Sequence, residues 1–505
     1  MDWIGSCSGS SWGYWMVTVN TLPRAFDIVK DSTGKYGYTP SILLKGAPKL
    51  ETSPVQKVTY EITDAAVWSD GQPITSTDFK YTWDQIANTE DVYDKTGYEL
   101  IESVDDTNPK VAVVTFKADS PYQDWKGLFT GNYGILPDHL LKGVDRDTTM
   151  KDGYQFSGGP WILDSWTKTD SIVLIPNPKF WGNKPKLDKV IFKVQADTSA
   201  EFTAFKSDQV SMIYPQPQLD AVDQITAGLP GKQKVISTTT PNFEALWFNM
   251  AKAPFDDAEV RKAVAYAVDR AAIVDRLFGQ LGVKEPLNVI GATVVKQYQD
   301  TSAFSQYKLD KAEVDKILTG DGYAKGADGI YAKNGEKLAF TVRSTAGNKR
   351  RELTEQVLQQ QLKDAGIEMA IDNTKAGTLF GELLPVGDFQ AAIYAQVLTT
   401  LGPSNCNIEC TKNSKPLGEK GGNNYTRTSV AELDKLLEQA DGELDDAKLT
   451  ELVKKADKVT ADNVIDLPID PLPTILLWSD KVVGPIDDSG ILGPFYNMNE
   501  WGVTG

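Results

Sequence analysis

The hydrophobic pattern of this 505-residue chain changes its period twice. In the first third apolar residues alternate, as at Val58, Tyr60 and Ile62, which predicts β-strands. Between about residues 338 and 397 two alternating segments flank a helical one, as in a strand–helix–strand unit with parallel strands. The segment from Leu467 to Trp478 is strand-like again. We therefore predict a β-rich part, an α/β part and a tail that returns to the first part, giving two lobes joined by crossing strands.

Local signals place two helices within this framework. Thr75 and Asp78 have the spacing of a capping box, which predicts a helix start. A stripe of apolar residues at helical spacing runs from Asp257 to Phe278 and predicts one helix that ends at Gly279. These features predict core packing rather than a functional site.

The composition excludes several classes of function. The chain has 52 Lys and Arg against 69 Asp and Glu, a net charge of −17 at pH 7, which argues against a nucleic-acid partner. A single histidine, His139, excludes histidine-rich metal sites and most Ser-His-Asp or Cys-His enzymes unless His139 is itself the base. No apolar run reaches about 18 residues, so we predict no membrane span and expect neither a cofactor nor a metal.

The cysteines leave two possibilities open. Cys406 and Cys410 lie four residues apart in a segment that we predict to be an exposed loop. A small-loop disulfide there would favour an exported protein, and free thiols are the alternative. The first residues of the sequence have no basic start and no apolar core, so they are not a signal peptide. Either the protein is cytosolic or a leader has been removed.

One enzymatic alternative is carried by residues 9–13, which match the G-x-S-x-G pattern of serine hydrolases. Ser11 would be the nucleophile and His139 the base. The pattern needs a strand before it and a helix after it, but only eight residues precede Gly9. A serine hydrolase is therefore a remote alternative.

Several short segments, in order from about residue 68 to residue 467, carry a resemblance to a known family. They are Ala66-Val67-Trp68-Ser69-Asp70-Gly71-Gln72-Pro73-Ile74-Thr75 with Asp78, Phe79 and Trp83, then Gly159-Pro160-Trp161, Asn177-Pro178-Lys179-Phe180-Trp181-Gly182, Phe205-Lys206-Ser207, Phe248-Asn249, Pro254-Phe255-Asp256-Asp257, Val260-Arg261-Lys262-Ala263 and Gly387-Asp388-Phe389. The sequence resembles the extracellular solute-binding proteins of peptide and nickel ABC importers, the dipeptide/oligopeptide-binding family, and its actinobacterial branch in particular.

The resemblance implies an α/β, two-lobed periplasmic-binding-protein-like fold of the class II type, with an extra N-terminal subdomain and hinge strands between the lobes. Applied to this chain, it divides the sequence into residues 1–45 (lobe I, first part), 46–155 (extra subdomain), 156–250 (lobe I, second part), 251–468 (lobe II) and 469–505 (C-terminal return to lobe I).

The same resemblance implies transport without catalysis. Such a protein captures an extracellular oligopeptide or peptide-like solute between its lobes and delivers it to the permease subunits of an ABC importer. We expect a monomer at the extracellular face of the cytoplasmic membrane or in the periplasm, held by a lipid anchor that the sequence does not contain. Cys7 lies in a segment that only superficially resembles an anchor site.

One departure from the family bears on the solute. Peptide binders often carry an acidic residue shortly after the Gly-Asp-Phe strand, where it receives the amine of the ligand. The corresponding stretch of this chain, residues 394–403, contains none. The sequence therefore favours longer or blocked peptides and neutral solutes such as oligosaccharides, and it argues against nickel. A non-transport sensor or scaffold on the same fold stays open as an alternative.

Candidate ligand-binding residues come from three segments. These are the aromatic stretch near the N-terminus, one face of the strand around residues 243–249, and the strand and loop ends of lobe II, where α/β sheets place ligands. A role in the core is the alternative for the aromatic residues. The candidate set is Trp12, Tyr14, Phe243, Trp247, Asn249, Gln396, Leu398, Asn424 and Tyr425.

Overall fold

The computed structural model describes residues 14–504 except 90, 91, 93, 132, 196 and 487–489. Its longer helices are Tyr14–Thr21, Ser76–Asn88, Thr198–Lys206, Leu219–Thr226, Ala258–Tyr266, Arg270–Phe278, Lys311–Gly320, Lys349–Ala365, Ala431–Gly442 and Asp446–Asn463. Short helical turns are Tyr98–Leu100, Trp125–Gly127, Asp138–Leu141, Arg146–Met150, Gly279–Leu281, Thr293–Tyr298, Ala376–Thr378, Leu379–Leu383, Leu384–Val386, Cys406–Glu409, Thr411–Asn413 and Met498–Glu500.

The first half of the chain is built on antiparallel sheets. In spatial order these are Phe26–Lys30 with Tyr36–Pro40; Lys49–Glu51, Lys57–Glu61, Val111–Phe116 and Ile101–Asn108; and Trp161–Thr167, Ser171–Pro176 and Val190–Lys193. The capping box predicted at Thr75 is present, because its side chain accepts from the third helical residue while Asp78 accepts from the backbone of Thr75. Trp68 is fully buried and donates to the same carboxylate at 3.3 Å.

The second half is an α/β unit around a five-stranded sheet. Its strands, in spatial order, are Glu368–Ile371, Ala339–Arg343, Ala391–Val397, Asn242–Phe248 and Asp466–Pro471. The pairs formed by Ala339–Arg343 are parallel, as the strand–helix–strand pattern predicts. The helix between the first two parallel strands ends at Ala365, and Gly366 follows with φ +91°, a conformation that glycine adopts without steric cost. A small sheet of Ala324–Lys325, Tyr331–Lys333 and Glu336–Lys337 lies at one side.

The single helix predicted between Asp257 and Phe278 is two helices in the structure, Ala258–Tyr266 and Arg270–Phe278. The break is local: the side chain of Asp269 accepts a hydrogen bond from the backbone of Ala272 and begins the second helix. Aspartate competes in this way for backbone amides, and the apolar spacing does not reveal it.

Two strands carry the chain between the halves. We call Asn242–Phe248 the first crossing strand and Asp466–Pro471 the second crossing strand; they pair with each other in the five-stranded sheet. Outside that sheet they continue into Lys232–Ser237 and Thr474–Ser479, which pair in a sheet with Met212–Ile213.

The two connections between these strands are tied together. The Thr240 hydroxyl donates to the carbonyl of Leu472 at 2.9 Å, and the Leu472 amide donates to the carbonyl of Asn242 at 3.0 Å. A bend between the halves is therefore confined to a few residues of two adjacent connections.

The C-terminal tail returns to the first half. Leu476, Phe495, Met498 and Trp501 are buried in the same apolar core as Trp68. A short antiparallel pair, Val482–Val483 with Gly502–Val503, closes this segment. Among the described residues no helix combines the length and apolar character needed to cross a bilayer.

Candidate solute-binding cleft

A cavity lies where the two halves meet. It contains about 980 Å³ of space, part of it open to solvent. The first half contributes Thr96, Tyr98, Tyr122, Gln123, Leu128 and Tyr133, and the second half contributes Phe243, Val295, Gln299 and the segment 396–405. A solute in this cavity would touch both halves, so it would favour the arrangement in which they are in contact.

Direct contacts join the halves beside the cavity. The Gln123 amide donates to the carbonyl of Asp441 at 2.8 Å, and the Leu401 amide donates to the hydroxyl of Tyr38 at 2.8 Å. The segment 399–402 passes so close to the first half that a Cβ at Gly131 would overlap the carbonyl oxygen of Thr399. This part of the first half therefore needs a glycine where the loop of the second half rests on it.

Among the described residues, two carboxylates line the cavity, one from each half. Asp94 lies in the loop before Tyr98, and its Oδ1 accepts from the backbone and the hydroxyl of Thr96 at 3.0 and 2.6 Å. Asp441 lies at the end of the helix Ala431–Gly442. Burial raises the pKa of Asp441 to about 6, although contacts with Ser404 and Lys412 act in the opposite direction.

A third carboxylate lies just behind the wall. Asp124 is 4% exposed, and its Oδ1 accepts from the Tyr38 hydroxyl at 2.6 Å. Burial raises its pKa to about 6. Three carboxylates of the described residues therefore lie in or directly behind the cavity wall.

Gln299 is the polar side chain of the wall with an unused hydrogen-bonding atom. It is 5% exposed, and its Oε1 has no hydrogen-bond partner among the described residues. Its amide occupies the space next to Gly291, where a Cβ would overlap the Gln299 nitrogen. A buried acceptor without a partner is unfavourable, so this position suits a donor on a bound solute.

Some of the predicted ligand-binding residues line the cavity and others do not. Phe243, Gln396 and Leu398 line the cavity. Tyr425 is half-buried against the core of the second half and is not among the residues that line the cavity. Trp12 lies outside the described residues, as do Cys7 and Ser11, and the side chain of Tyr14 is not described.

Three other candidates have side chains engaged within the second half. Trp247 stacks on Tyr394 at 4.9 Å between ring centroids and donates to its carbonyl at 2.9 Å. Asn249 donates to the carbonyls of Gly387 and Phe389, each at 3.0 Å. Asn424 donates to three backbone carbonyls, the shortest contact being 2.9 Å to Thr428. A ligand contact would require each of these to give up an internal hydrogen bond.

Two other predicted features have clear positions. Cys406 and Cys410 form a disulfide with an S–S distance of 2.11 Å. The prediction of an exposed loop was wrong, because both cysteines are buried at the short helix Cys406–Glu409. His139 lies in the short helix Asp138–Leu141, and its Nε2 is 2.7 Å from the carboxylate of Asp70. In the part of the chain that the structure describes, no group of three or more His, Cys, Asp or Glu side chains is arranged to hold a metal ion.

Asp94, Asp441 and Gln299 were not among the residues predicted from the sequence. Each lies in a polar segment with no distinctive spacing, and only the packing of the two halves brings them to one cavity. The absence of an acid after the Gly-Asp-Phe segment therefore does not leave the cleft without carboxylates.

Two lobes joined by two crossing strands, with a cavity between them, define a solute-binding protein of the periplasmic type. Residues 47–415 match the family described as bacterial extracellular solute-binding proteins, family 5 (middle region), and the chain belongs to this family. The family and the fold class indicated by the sequence motifs are thereby confirmed.

Relatives and solved structures agree with this assignment. The chain is 27% identical over 467 residues to the oligopeptide-binding protein OppA of Mycobacterium tuberculosis, covering 90% of this chain and 75% of OppA. The periplasmic EDTA-binding protein EppA shares the fold with a TM-score of 0.85 and 23% identity, covering 100% and 94% of the two chains. The oligopeptide-binding protein AppA of Bacillus subtilis, solved with a nonapeptide, has a TM-score of 0.84 and 20% identity over 99% and 96%.

Proposed function

We propose that this protein captures an oligopeptide or peptide-like solute outside the cytoplasmic membrane and delivers it to the permease of an ABC importer. The observation that carries the proposal is the cavity lined by both halves, because a solute there is bound by closure and released by opening. Membership of the family supports a peptide as the solute, and so does the similarity to several oligopeptide-binding proteins.

The solute contacts in this proposal come from the residues that line the cavity. Phe243 and Leu398 offer apolar surface, whereas Gln396 and Gln123 offer amide groups that suit a peptide backbone. Tyr98, Tyr122 and Tyr133 add aromatic surface from the first half. The site binds and orients a solute and performs no covalent step.

The remaining parts of the proposal concern organisation and location. The protein acts as a monomer whose lobe I, extra subdomain and lobe II follow the division predicted from the sequence. It works at the outer face of the cytoplasmic membrane, where a lipid anchor would keep it near the permease.

Scattering and calorimetry of the purified protein test the proposal together. Peptides of four to nine residues, added one at a time, should raise the melting temperature and reduce the radius of gyration. A peptide that binds tightly with no change in scattering would contradict closure. Uptake of that peptide should disappear in cells lacking the protein; normal uptake would favour a sensor over a transport component.

The same fold serves other solutes, since solved structures with this fold include an EDTA-binding protein and a protein in complex with agropinic acid. Native mass spectrometry of the protein as purified would detect a retained solute. An oligosaccharide found there would replace the peptide in this proposal and leave the binding mechanism unchanged.

A further inference from the structure

The charges that line the cavity are all of one sign. Asp94 and Asp441 line it, and no lysine, arginine or histidine is among the described residues that do. Lys412 affects the pKa of Asp441, but its Nζ is 3.6 Å from Glu438 and it does not line the cavity. A free carboxylate on the solute would therefore lose its hydration without gaining a positive partner.

Neither carboxylate is neutralised within the protein. Among the described ion pairs, none within 4.0 Å includes Asp94 or Asp441. Thr96 donates its backbone amide and its hydroxyl to one oxygen of Asp94. Burial raises the pKa of Tyr122, which lines the same cavity, and the charges of both carboxylates raise it further.

A second, independent observation points to a donor on the solute. Gln299 is buried, lines the same cavity, and keeps one acceptor atom without a partner in the described structure. An ammonium group has three donors and a guanidinium has five, so either could satisfy two carboxylates and this acceptor together.

We propose that the solute is held through a positive charge shared by Asp94 and Asp441, and that it enters the cavity without a free carboxylate. This inference rests on the proposed function and names the charge class of its solute. Because the two carboxylates come from opposite halves, a cation between them favours the closed form, which links recognition to closure.

The test uses one pentapeptide sequence without charged side chains, made in four forms: free or acetylated at the amine, and free or amidated at the carboxyl end. Calorimetry should give the tightest binding for the form with a free amine and an amidated end. Acetylation should weaken binding about tenfold or more, and so should a free carboxylate. Tighter binding of the acetylated free acid would overturn the charge assignment and leave a peptide-binding function intact.

Substitutions of single residues test which carboxylates cause the preference for a free amine. Asp441→Asn and Asp94→Asn should each reduce the preference for the free amine to within about threefold, with melting temperatures showing that the variants fold. Glu432→Gln removes one negative charge from an exposed position of the same helix as Asp441 and should leave the preference unchanged. A loss of preference in Glu432→Gln equal to that in Asp441→Asn would indicate a general field effect and overturn the assignment.

A second pair of probes separates this inference from the peptide proposal. If no pentapeptide form binds, the peptide proposal fails, and the charge class is then tested with a glucosamine trisaccharide against its N-acetylated form. Binding of only the amine-bearing sugar supports the cation site. Preference for the acetylated sugar, or binding of neither, overturns it.

Discussion

The hydroxyl of Tyr38 joins the two halves: it donates to Asp124 at 2.6 Å and accepts from the amide of Leu401 at 2.8 Å. Tyr38 and Asp124 belong to the first half, and Leu401 belongs to the loop that the second half extends across the cleft. The bond is therefore made only when the halves are in contact. It stabilises the closed arrangement from beside the cavity rather than through a solute.

Tyr38→Phe removes both hydrogen bonds and should shift the protein without solute towards an open form. A net contribution of about 1 kcal/mol per hydrogen bond corresponds to a change of roughly fivefold or more in the ratio of closed to open protein. The radius of gyration of the unliganded protein should increase, and solute affinity should fall by a similar factor.

Tyr154→Phe is the matched control, since its hydroxyl lies 2.7 Å from that of Thr21 within the first half. This variant should lose stability without a change in scattering. Equal radii for wild type and Tyr38→Phe would show that the contact does not hold the halves together.

Stability should rise as the pH falls from 8 towards 5.5. Burial raises the pKa values of Asp124 and Asp441 to about 6, of Glu201 and Glu355 to about 7, and of Asp457 to about 8. The folded state then binds more protons than the unfolded state, so the free energy of unfolding decreases with rising pH. Melting temperatures between pH 5.5 and 8 measure this slope, and a maximum at pH 8 would contradict it.

Asp457→Asn should remove part of that slope. The carboxylate accepts the Asp300 amide at 2.7 Å, a bond that an asparagine oxygen retains, but its negative charge is buried. The variant should melt higher than wild type at pH 9 and close to it at pH 6. Glu451→Gln on the exposed side of the same helix, where Lys455 pairs with it at 2.6 Å, should leave the slope unchanged.

Glu244→Gln should be strongly destabilising. Glu244 lies on the first crossing strand and is 1% exposed, where its carboxylate contacts Arg350 and pairs with Arg351 at 2.6 Å. Removing the charge leaves two buried guanidinium groups without their partner, a cost of about 3–5 kcal/mol in urea unfolding. Glu352→Gln, which breaks the exposed pair with Lys349 on the same helix, should cost about 0.5 kcal/mol or less. Equal costs would show that the buried pair has no special role.

Gly291→Ala should weaken solute binding without unfolding the protein. An added Cβ would overlap the amide of Gln299, which must then move within the cavity. We expect affinity for the best-binding pentapeptide to fall about tenfold. Gly320→Ala, at a position with no atom within 4 Å of the added Cβ, is the control and should bind normally. Unchanged binding in Gly291→Ala would separate Gln299 from the solute site.

Local sequence signals were reliable where one or two neighbouring residues decide the structure. The capping box at Thr75 is one case, because it is set by hydrogen bonds between residues three positions apart. The prediction of one continuous helix from Asp257 was wrong, because Asp269 caps a second helix inside the apolar stripe.

The cleft was predicted as a location but not as a set of side chains. Phe243 and Leu398 line the cavity, whereas Trp247 on the same predicted face as Phe243 is packed against Tyr394. Strand periodicity tells which residues share a face but not which part of that face another layer covers. That depends on helices and loops from distant parts of the chain.

The amino-acid sequence by itself determined the family, the alternation of β-rich and α/β segments and the low content of histidine, because each is a property of residue order or composition. The tertiary structure decided that Asp94, Asp441 and Gln299 meet in one cavity with no lining lysine, arginine or histidine among the described residues. Asp94 lies far from Asp441 and Gln299 in the chain and belongs to the opposite half, so only the contact between the halves brings the three residues to one cavity.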